Sequence, residues 1–424
     1  MEESEFDNIL DDWFIESLKT YKDLHVYQLE HPTRVIEWTS GKTVCVAGYA
    51  PSKNEILELL LPLKLLADEN KVTQRLIFSS TSAGKCHYKL LLFVWCVQGL
   101  CAERDFKVAH GGFTDDPVRC LKHIPGSRHV VTNDGRSSDL QVWDLGGDDS
   151  GEFYQDHHRF ETKETHQNRL DVIRRTGSIE GKRTVSESGS RIAARLSPQP
   201  EVLHGAQSSN VHLTELTSGR TLFTLETDSA HPLMSLQFVS DSVFLTGCCN
   251  GSVYVADTRS SAAPQLSPAP ASSAPSDLWW TDASAGLLSC RIVRLSSSGR
   301  AVVSDLRKLG GAVSQAQLDV QSRQYGLDDV TVSWAPVLDD CIAVSGFSGV
   351  VQIFNTSSWR SEVQDALPLF EHRGHTVSSQ AEDGAPVVVT SHTWHPERPR
   401  TLLSAASDGS VHVWDWVDQS VASR

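Results

Sequence analysis

Thr390 to Asp415 reads TSHTWHPERPRTLLSAASDGSVHVWD. The spacing predicts a strand around His392–Trp394, a turn at Pro396–Pro399 and the apolar run Leu402–Leu403. A tight turn follows at Asp408–Gly409, then the alternating strand Val411–Trp414. Period-two alternation bounded by Pro and Gly marks half-buried antiparallel strands. The Asp-Gly pair predicts a two-residue hairpin, because it supplies the positive φ that such a turn requires.

The phrase recurs upstream. Val332–Asn355 repeats it, with Trp334-Ala-Pro at the start and Ser348-Gly349 at the turn. Leu236–Asp257 turns at Asn250-Gly251, and Leu287–Asp305 turns at Ser298-Gly299. Val118–Asp144 ends in LQVWD, Ala194–Leu216 is a weaker copy, and Arg34–Pro62 is a further one. That makes seven. The copies end at Asp144, Leu216, Asp257, Asp305, Asn355 and Asp415, with gaps of 72, 41, 48, 50 and 60 residues. Four-stranded propeller blades repeat about every 40–45 residues. The excess falls in three stretches that read as linker-like loops, 146–190, 258–283 and 360–384. The expectation is an all-β fold, one seven-bladed propeller over residues 24–424 behind an N-terminal helix at 1–23. The last copy has only nine residues after Asp415, so the alternating segment Leu24–Leu29 is expected to supply its outer strand and close the ring.

Composition narrows the function. The chain has 424 residues, 38 Lys and Arg against 53 Asp and Glu, and a net charge of −15. Binding nucleic-acid phosphates or an anionic membrane needs clustered cations, so neither is expected as a direct partner. The acidic start MEESEFDNILDDW is unlike a secretory signal. The most apolar run, Leu90–Val97, is far shorter than the ~20 residues that cross a bilayer. The nine cysteines form no C-x-x-C pair and read as small buried apolar residues.

No catalytic motif emerges, and no catalytic, cofactor-binding or metal-binding residue is expected. G-x-S-x-G, H-E-x-x-H and a complete phosphate loop are all missing. Ala83-Gly84-Lys85-Cys86 only resembles the end of a phosphate loop. His157, His158 and His166 lie in a polar stretch and read as solvated. His392 and His395 flank Trp394, and one of them is expected to be a structural hydrogen-bonding residue. Asp328-Asp329 and Asp339-Asp340 read as turn residues.

Two segments are candidates for partner binding. Asn8–Tyr21 places Leu10, Phe14, Leu18 and Tyr21 on one helical stripe with Trp13 beside it. Such a helix either plugs the propeller or docks into a groove of another protein, with Trp13, Phe14 and Leu18 as its anchors. Glu103–Phe113 holds Arg104, Asp105, Phe106, Lys107 and Phe113 around Gly111-Gly112. It is either an outer strand with a blade-to-blade turn or an Arg- and aromatic-rich contact patch. Residues 1–70 carry 14 acidic and 6 basic side chains, a solvated face or a docking surface for a basic partner.

Trp143-Asp144, Trp414-Asp415 and Gly374-His375 give the chain its resemblance to the WD-repeat β-propellers. In that family a His, a second-strand Ser or Thr, a turn Asp and a strand Trp form a structural network. The matching positions are His375, Ser404, Asp408 and Trp414, with Trp143 and Asp144 as an earlier WD pair. Asn355 and Leu216 depart from the pattern, so the network is expected to be incomplete in most blades.

Longer runs are similar to one cytoplasmic WD-repeat family along nearly the whole chain. Among them are DDWFIESL at 11–18, ERDFKVAHGGF at 103–113, HTWHPERPRTLLSA at 392–405 and VHVWDWVD at 411–418. The resemblance implies a non-catalytic scaffold, a monomer within a hetero-complex. It implies a role in assembling the RNA-endonuclease module of the Integrator complex, with the endonuclease subunits as partners. It also implies microtubule or tubulin association, spindle poles and the cleavage furrow. In that family DENK runs directly into GL-x-x-ERDFKV, whereas here 72–98 intervenes. That anomalous insert opens on Val, whose codons begin GT, and closes on Gln, which has a codon ending AG. It reads as a retained intron or a gene-model error, without a place in a blade. Sequencing of transcripts across this junction is expected to find the 27 codons spliced out.

Overall fold

The computed structural model describes residues 13, 17, 19–50, 53–62, 106–146, 171–181, 189–270, 276–284, 290–320, 327–378 and 386–417. These form seven separate β-sheets arranged as the blades of one propeller. The innermost strands are Thr33–Trp38, Cys120–His123, Arg191–Ala194, Leu233–Phe238, Trp279–Ala283, Thr331–Trp334 and Val389–Trp394. Each packs against the next around the axis, and the seventh packs against the first. The outermost antiparallel strands, in the same blade order, are Lys107–Thr114, Arg174–Ile179, Thr221–Leu225, Gln265–Ser267, Lys308–Leu318, Phe370–His372 and Tyr21–Gln28.

The ring closes through the two ends of the chain. Tyr21–Gln28 pairs antiparallel with Ser410–Trp416, setting Leu24 opposite Trp414. The Leu29 amide extends the ladder by donating to the Gly409 carbonyl at 3.0 Å. The strand starts three residues before the predicted Leu24, so Tyr21 belongs to it rather than to the helix. Trp13, Ser17, Lys19 and Thr20 are helical.

Among the described residues, no blade has a private core. The buried apolar side chains fall into seven clusters, each shared between two neighbouring blades. Blades 7 and 1, joined last, share Leu403, Val411 and Val413 with Ile36, Val44 and Leu59. A middle strand is therefore buried on both faces, which is why Thr401–Ala406 reads TLLSAA rather than alternating. An outer strand covers one neighbour only and keeps a wet face.

Three sequence expectations need correction. The Asp-Gly turn is not a two-residue hairpin. The Gly409 amide bonds the Ala406 carbonyl at 3.1 Å, and only the glycine is left-handed, at φ 85°. Ser407, Asp408 and Gly409 thus form a three-residue loop, and Gly251 and Gly299 close equivalent loops. In blade 6 the left-handed residue is Gly346, not Gly349. Gly349 is instead a close-packing position, where a Cβ would lie 2.8 Å from the Val387 carbonyl oxygen.

The linker-like stretches also hold blade strands. Gln265–Ser267 and Trp279–Ala283 lie within 258–283, and Trp279 is 1 % exposed. Phe370–His372 and the five-residue helix Gly374–Ser378 lie within 360–384. Arg174–Ile179 lies within 146–190. Outer strands need few apolar residues, so they do not stand out from loops by composition. The insert at 72–98 lies outside the described residues.

Blades 1 and 5 carry a fifth, parallel strand lent by the following blade, Asp171–Val172 and Asp365–Ala366. Gly112 permits the first, because a Cβ there would lie 2.7 Å from the Ile173 carbonyl oxygen. Gly112→Val is expected to dislodge Asp171–Val172 and cost about 1–3 kcal/mol of stability, as overpacking generally does. Urea unfolding and cleavage near Ile173 in limited proteolysis would report both effects.

Candidate functional site

A hydrogen-bonded chain crosses blade 7. Trp414 Nε1 donates to Ser404 Oγ at 3.2 Å, and Ser404 Oγ lies 2.8 Å from His375 Nε2. On the other side of the ring, His375 Nδ1 lies 2.7 Å from Ser410 Oγ. Ser410 Oγ in turn donates to Asp408 Oδ1 at 2.6 Å. The Asp408 carboxylate can only accept, which orders the whole chain: His375 carries its proton on Nδ1 and accepts from Ser404 at Nε2. Asp408 therefore reaches His375 through Ser410, a member the family pattern did not point to. The Gly374–Ser378 helix sets His375 into this position.

The other blades answer the same two positions differently. In blade 2, Trp143 Nε1 donates to Thr132 Oγ1 at 2.9 Å. In blade 3 the pair is His204 with Thr214, 3.0 Å apart. In blade 5 Arg294 Nη2 donates to Ser304 Oγ at 2.8 Å. Blades 1 and 6 put apolar pairs there, Val46 with Leu59 and Val344 with Phe354. Blade 4 is the exception. Ala256 stands diagonal to Thr246, whose buried hydroxyl has no hydrogen-bond partner among the described residues. Asp144 binds the Gly146 amide at 2.9 Å and takes no part in the Trp143 pair.

Beside this chain lie two more buried histidines. His372 Nε2 is 2.9 Å from His412 Nδ1, and His372 Nδ1 is 2.8 Å from the Tyr21 hydroxyl. His375 stacks on His412 with ring centroids 3.8 Å apart. The three imidazoles are close enough to suggest a metal site. Five of their six ring nitrogens already serve hydrogen bonds, so an ion would have to break the Ser404, Ser410 or Tyr21 contacts. Burial holds all three histidines well below the usual imidazole range. His392, bonded to Ser333 and Ser345 at 2.7 Å each, is pushed down to about 4 by burial.

A second polar cluster joins blades 1 and 2. Glu58 is 1 % exposed and takes Arg128 on both oxygens, at 3.0 and 2.6 Å. His110 Nδ1 lies 2.6 Å from Glu58 Oε2, and Thr39 Oγ1 donates to Oε1 at 3.1 Å. Burial would raise the carboxyl; the His110 and Arg128 hydrogen bonds outweigh it and bring it down to about 2. Between the innermost strands of blades 2 and 1, Lys122 reaches Glu37 at 2.8 Å. Nearby, Asp282 is pushed up to about 7 by burial, though the Trp334 amide bonds it at 2.6 Å.

The partner-binding candidates are scattered. Lys107 and Phe113 lie on the outer strand of blade 1, and Phe113 is 65 % exposed. Phe106 instead packs on Tyr27, centroids 4.2 Å apart, and seals the junction of blades 7 and 1. Trp13 is half-buried. Arg104, Asp105, Phe14 and Leu18 lie outside the described residues.

The broad faces differ in charge. One bears the loops that lead from each outer strand to the next inner strand, and the turns between second and third strands. Their described residues include thirteen Asp and Glu against three Arg, a net of −10. Among them Asp328 and Asp329 reach over the channel mouth to Arg119 and Arg34, at 3.5 and 3.8 Å. The described loop residues of the opposite face include nine Lys and Arg against five acids, a net of +4.

Two substitutions test the blade pairs. Ser404→Ala is expected to cost about 1–3 kcal/mol, because it leaves buried Trp414 and His375 atoms unpaired. Thr246→Val is expected to add about 1 kcal/mol, because it removes a hydroxyl already unpaired. Denaturant unfolding of each variant beside the parent reads both signs.

Comparison with known proteins agrees with this architecture. Residues 368–415 match the WD domain, G-beta repeat family. The chain is 45 % identical to the Integrator complex assembly factor WDR73 of Danio rerio, over 96 % of this chain and 97 % of that protein. It is 36 % identical to the protein of the same name from Homo sapiens, over 96 % and 98 % of the two chains. The Xenopus laevis protein of that name is also 36 % identical, with the same shares covered. With identity of this level along nearly its whole length, the chain belongs to the WDR73 family of WD-repeat proteins.

Proposed function

We propose that this propeller is a non-catalytic scaffold that assists assembly of the Integrator complex, and that it holds the RNA-endonuclease module through its acidic face. The relatives' shared name supports the first part. The observation that carries the second is the segregation of charge, −10 against +4 among the described loop residues of the two faces. A rigid ring with one acidic face presents a large preformed surface, so docking orders little of the scaffold. Its field speeds the approach of a Lys- and Arg-rich segment and opposes an acidic one. The same field gives no general attraction to the acidic surface of tubulin, so this geometry favours the assembly reading over direct microtubule binding.

Charge reversal separates the faces. Asp115→Lys, Asp116→Lys, Glu226→Lys and Asp228→Lys alter exposed loop residues of the acidic face. Together they are expected to weaken co-purification with the Integrator endonuclease subunits at least about tenfold, and parent binding is expected to fall as salt rises. Arg259→Glu with Arg307→Glu on the opposite face is expected to leave it unchanged. Absence of those subunits from the parent pull-down would refute the assembly role. A loss confined to the opposite-face variant would refute the docking face alone.

A further inference from the structure

Ring closure is keyed by a polar contact as well as by packing. Tyr21 opens the N-terminal strand, and its hydroxyl lies 2.8 Å from His372 Nδ1. His372 ends the outer strand of blade 6, and its Nε2 lies 2.9 Å from His412 Nδ1 in blade 7. One short chain thus ties together the strand that closes the ring, the blade before it and the blade it completes. His372 and His412 are fully buried, at 0 % exposure. Gly374 seals the pair from above, where a Cβ would lie 2.9 Å from His412 Nδ1.

Proton counting shows what this chain tolerates. A contact between two imidazole nitrogens holds one hydrogen, donated by one ring and accepted by the other. With both rings neutral the contact is satisfied. A further proton puts a cation between them in a dry site.

Among the described residues no carboxylate bonds His372 or His412. His375 stacks on His412, and its own proton is committed to Ser410. Asp408 is turned toward Ser410. Glu371 and Arg373 pair with each other at the surface. On the closing strand pair, Asp23 and Asp415 occupy opposite register positions.

We propose that the Tyr21–His372–His412 chain is an acid-labile clasp, which releases the strand Tyr21–Gln28 and opens the ring while the other blades stay folded. The sign follows from the neutral histidines. Burial, with repulsion from a neighbouring imidazole, lowers the proton affinity of both. The closed form is then stabilised above the ordinary imidazole range of ~6.5 and loses that advantage as pH falls below it. Opening exposes the edge of Ser410–Trp416, a strand able to pair with another chain.

Hydrogen exchange read as protection factors, which remove the intrinsic pH dependence of exchange, tests the clasp in the full chain. Between pH 7.5 and pH 5, protection at 21–28 is expected to fall at least about tenfold, while protection of Leu140–Asp144 in blade 2 holds. Equal loss in both segments would mean global acid unfolding and would overturn the proposal. So would constant protection at 21–28. His372→Gln with His412→Gln is expected to weaken protection at neutral pH and abolish its acid dependence. Persistence of that dependence in the folded double variant would also overturn it. His204→Gln removes a buried histidine of blade 3 and is expected to leave the acid response at 21–28 as in the parent. Should the double variant not fold, the comparison of the two segments in the parent decides alone.

Discussion

Each blade of this protein is buried by its neighbours and not by itself. A single four-stranded sheet would leave two apolar faces in water, and apolar burial contributes ~25 cal/mol per Å². The seven clusters between blades are therefore one interdependent core bent into a ring. Closure is the condition for all of it. Without the junction of blades 7 and 1, Leu403 and Val413 on one side and Ile36 and Val44 on the other would face solvent.

The polar networks make sense within that constraint. They sit where apolar packing alone leaves register undetermined, and each fixes one strand against another. Ser404 with Trp414 sets the second strand of blade 7 on the third, and His375 ties the entering loop to both. Glu58 does the equivalent between blades 1 and 2, with Arg128 and His110 meeting its buried charge. An unpaired carboxylate there would be costly, so the cluster keeps its members together. Thr246 shows the opposite case, a polar residue at a repeat position whose diagonal neighbour on the third strand, Ala256, offers no hydrogen-bonding group.

Much of this was legible in the chain. The turns before Ser410 and Val253 and the terminal Asp residues located the third strands, because those positions answer to backbone geometry and recur together in blades 4, 5 and 7. The alternation of Leu24–Leu29 disclosed the closing strand. Outer strands such as Gln265–Ser267 and Phe370–His372 escaped notice because one wet face and three residues leave almost no pattern. The Glu58 cluster was invisible for another reason. Its members lie 52 and 70 residues from Glu58, and only the ring brings them together. Ser410 was missed because it stands beside the expected turn Asp and looks like an ordinary turn residue. The charge of the two faces needed only the topology, since each loop's side follows from its place in the blade.

The pairing of Tyr21–Gln28 with Ser410–Trp416 also governs how the molecule can be made. Gln28 and the turn it touches at Asp408 are 380 residues apart. At ~5–20 residues per second, a ribosome needs roughly 20–80 s to travel that distance. Throughout that interval the first strand has no companion, and the half-built arc ends in bare sheet faces. A nascent propeller of this design thus keeps apolar surface in contact with water until its last blade is synthesised.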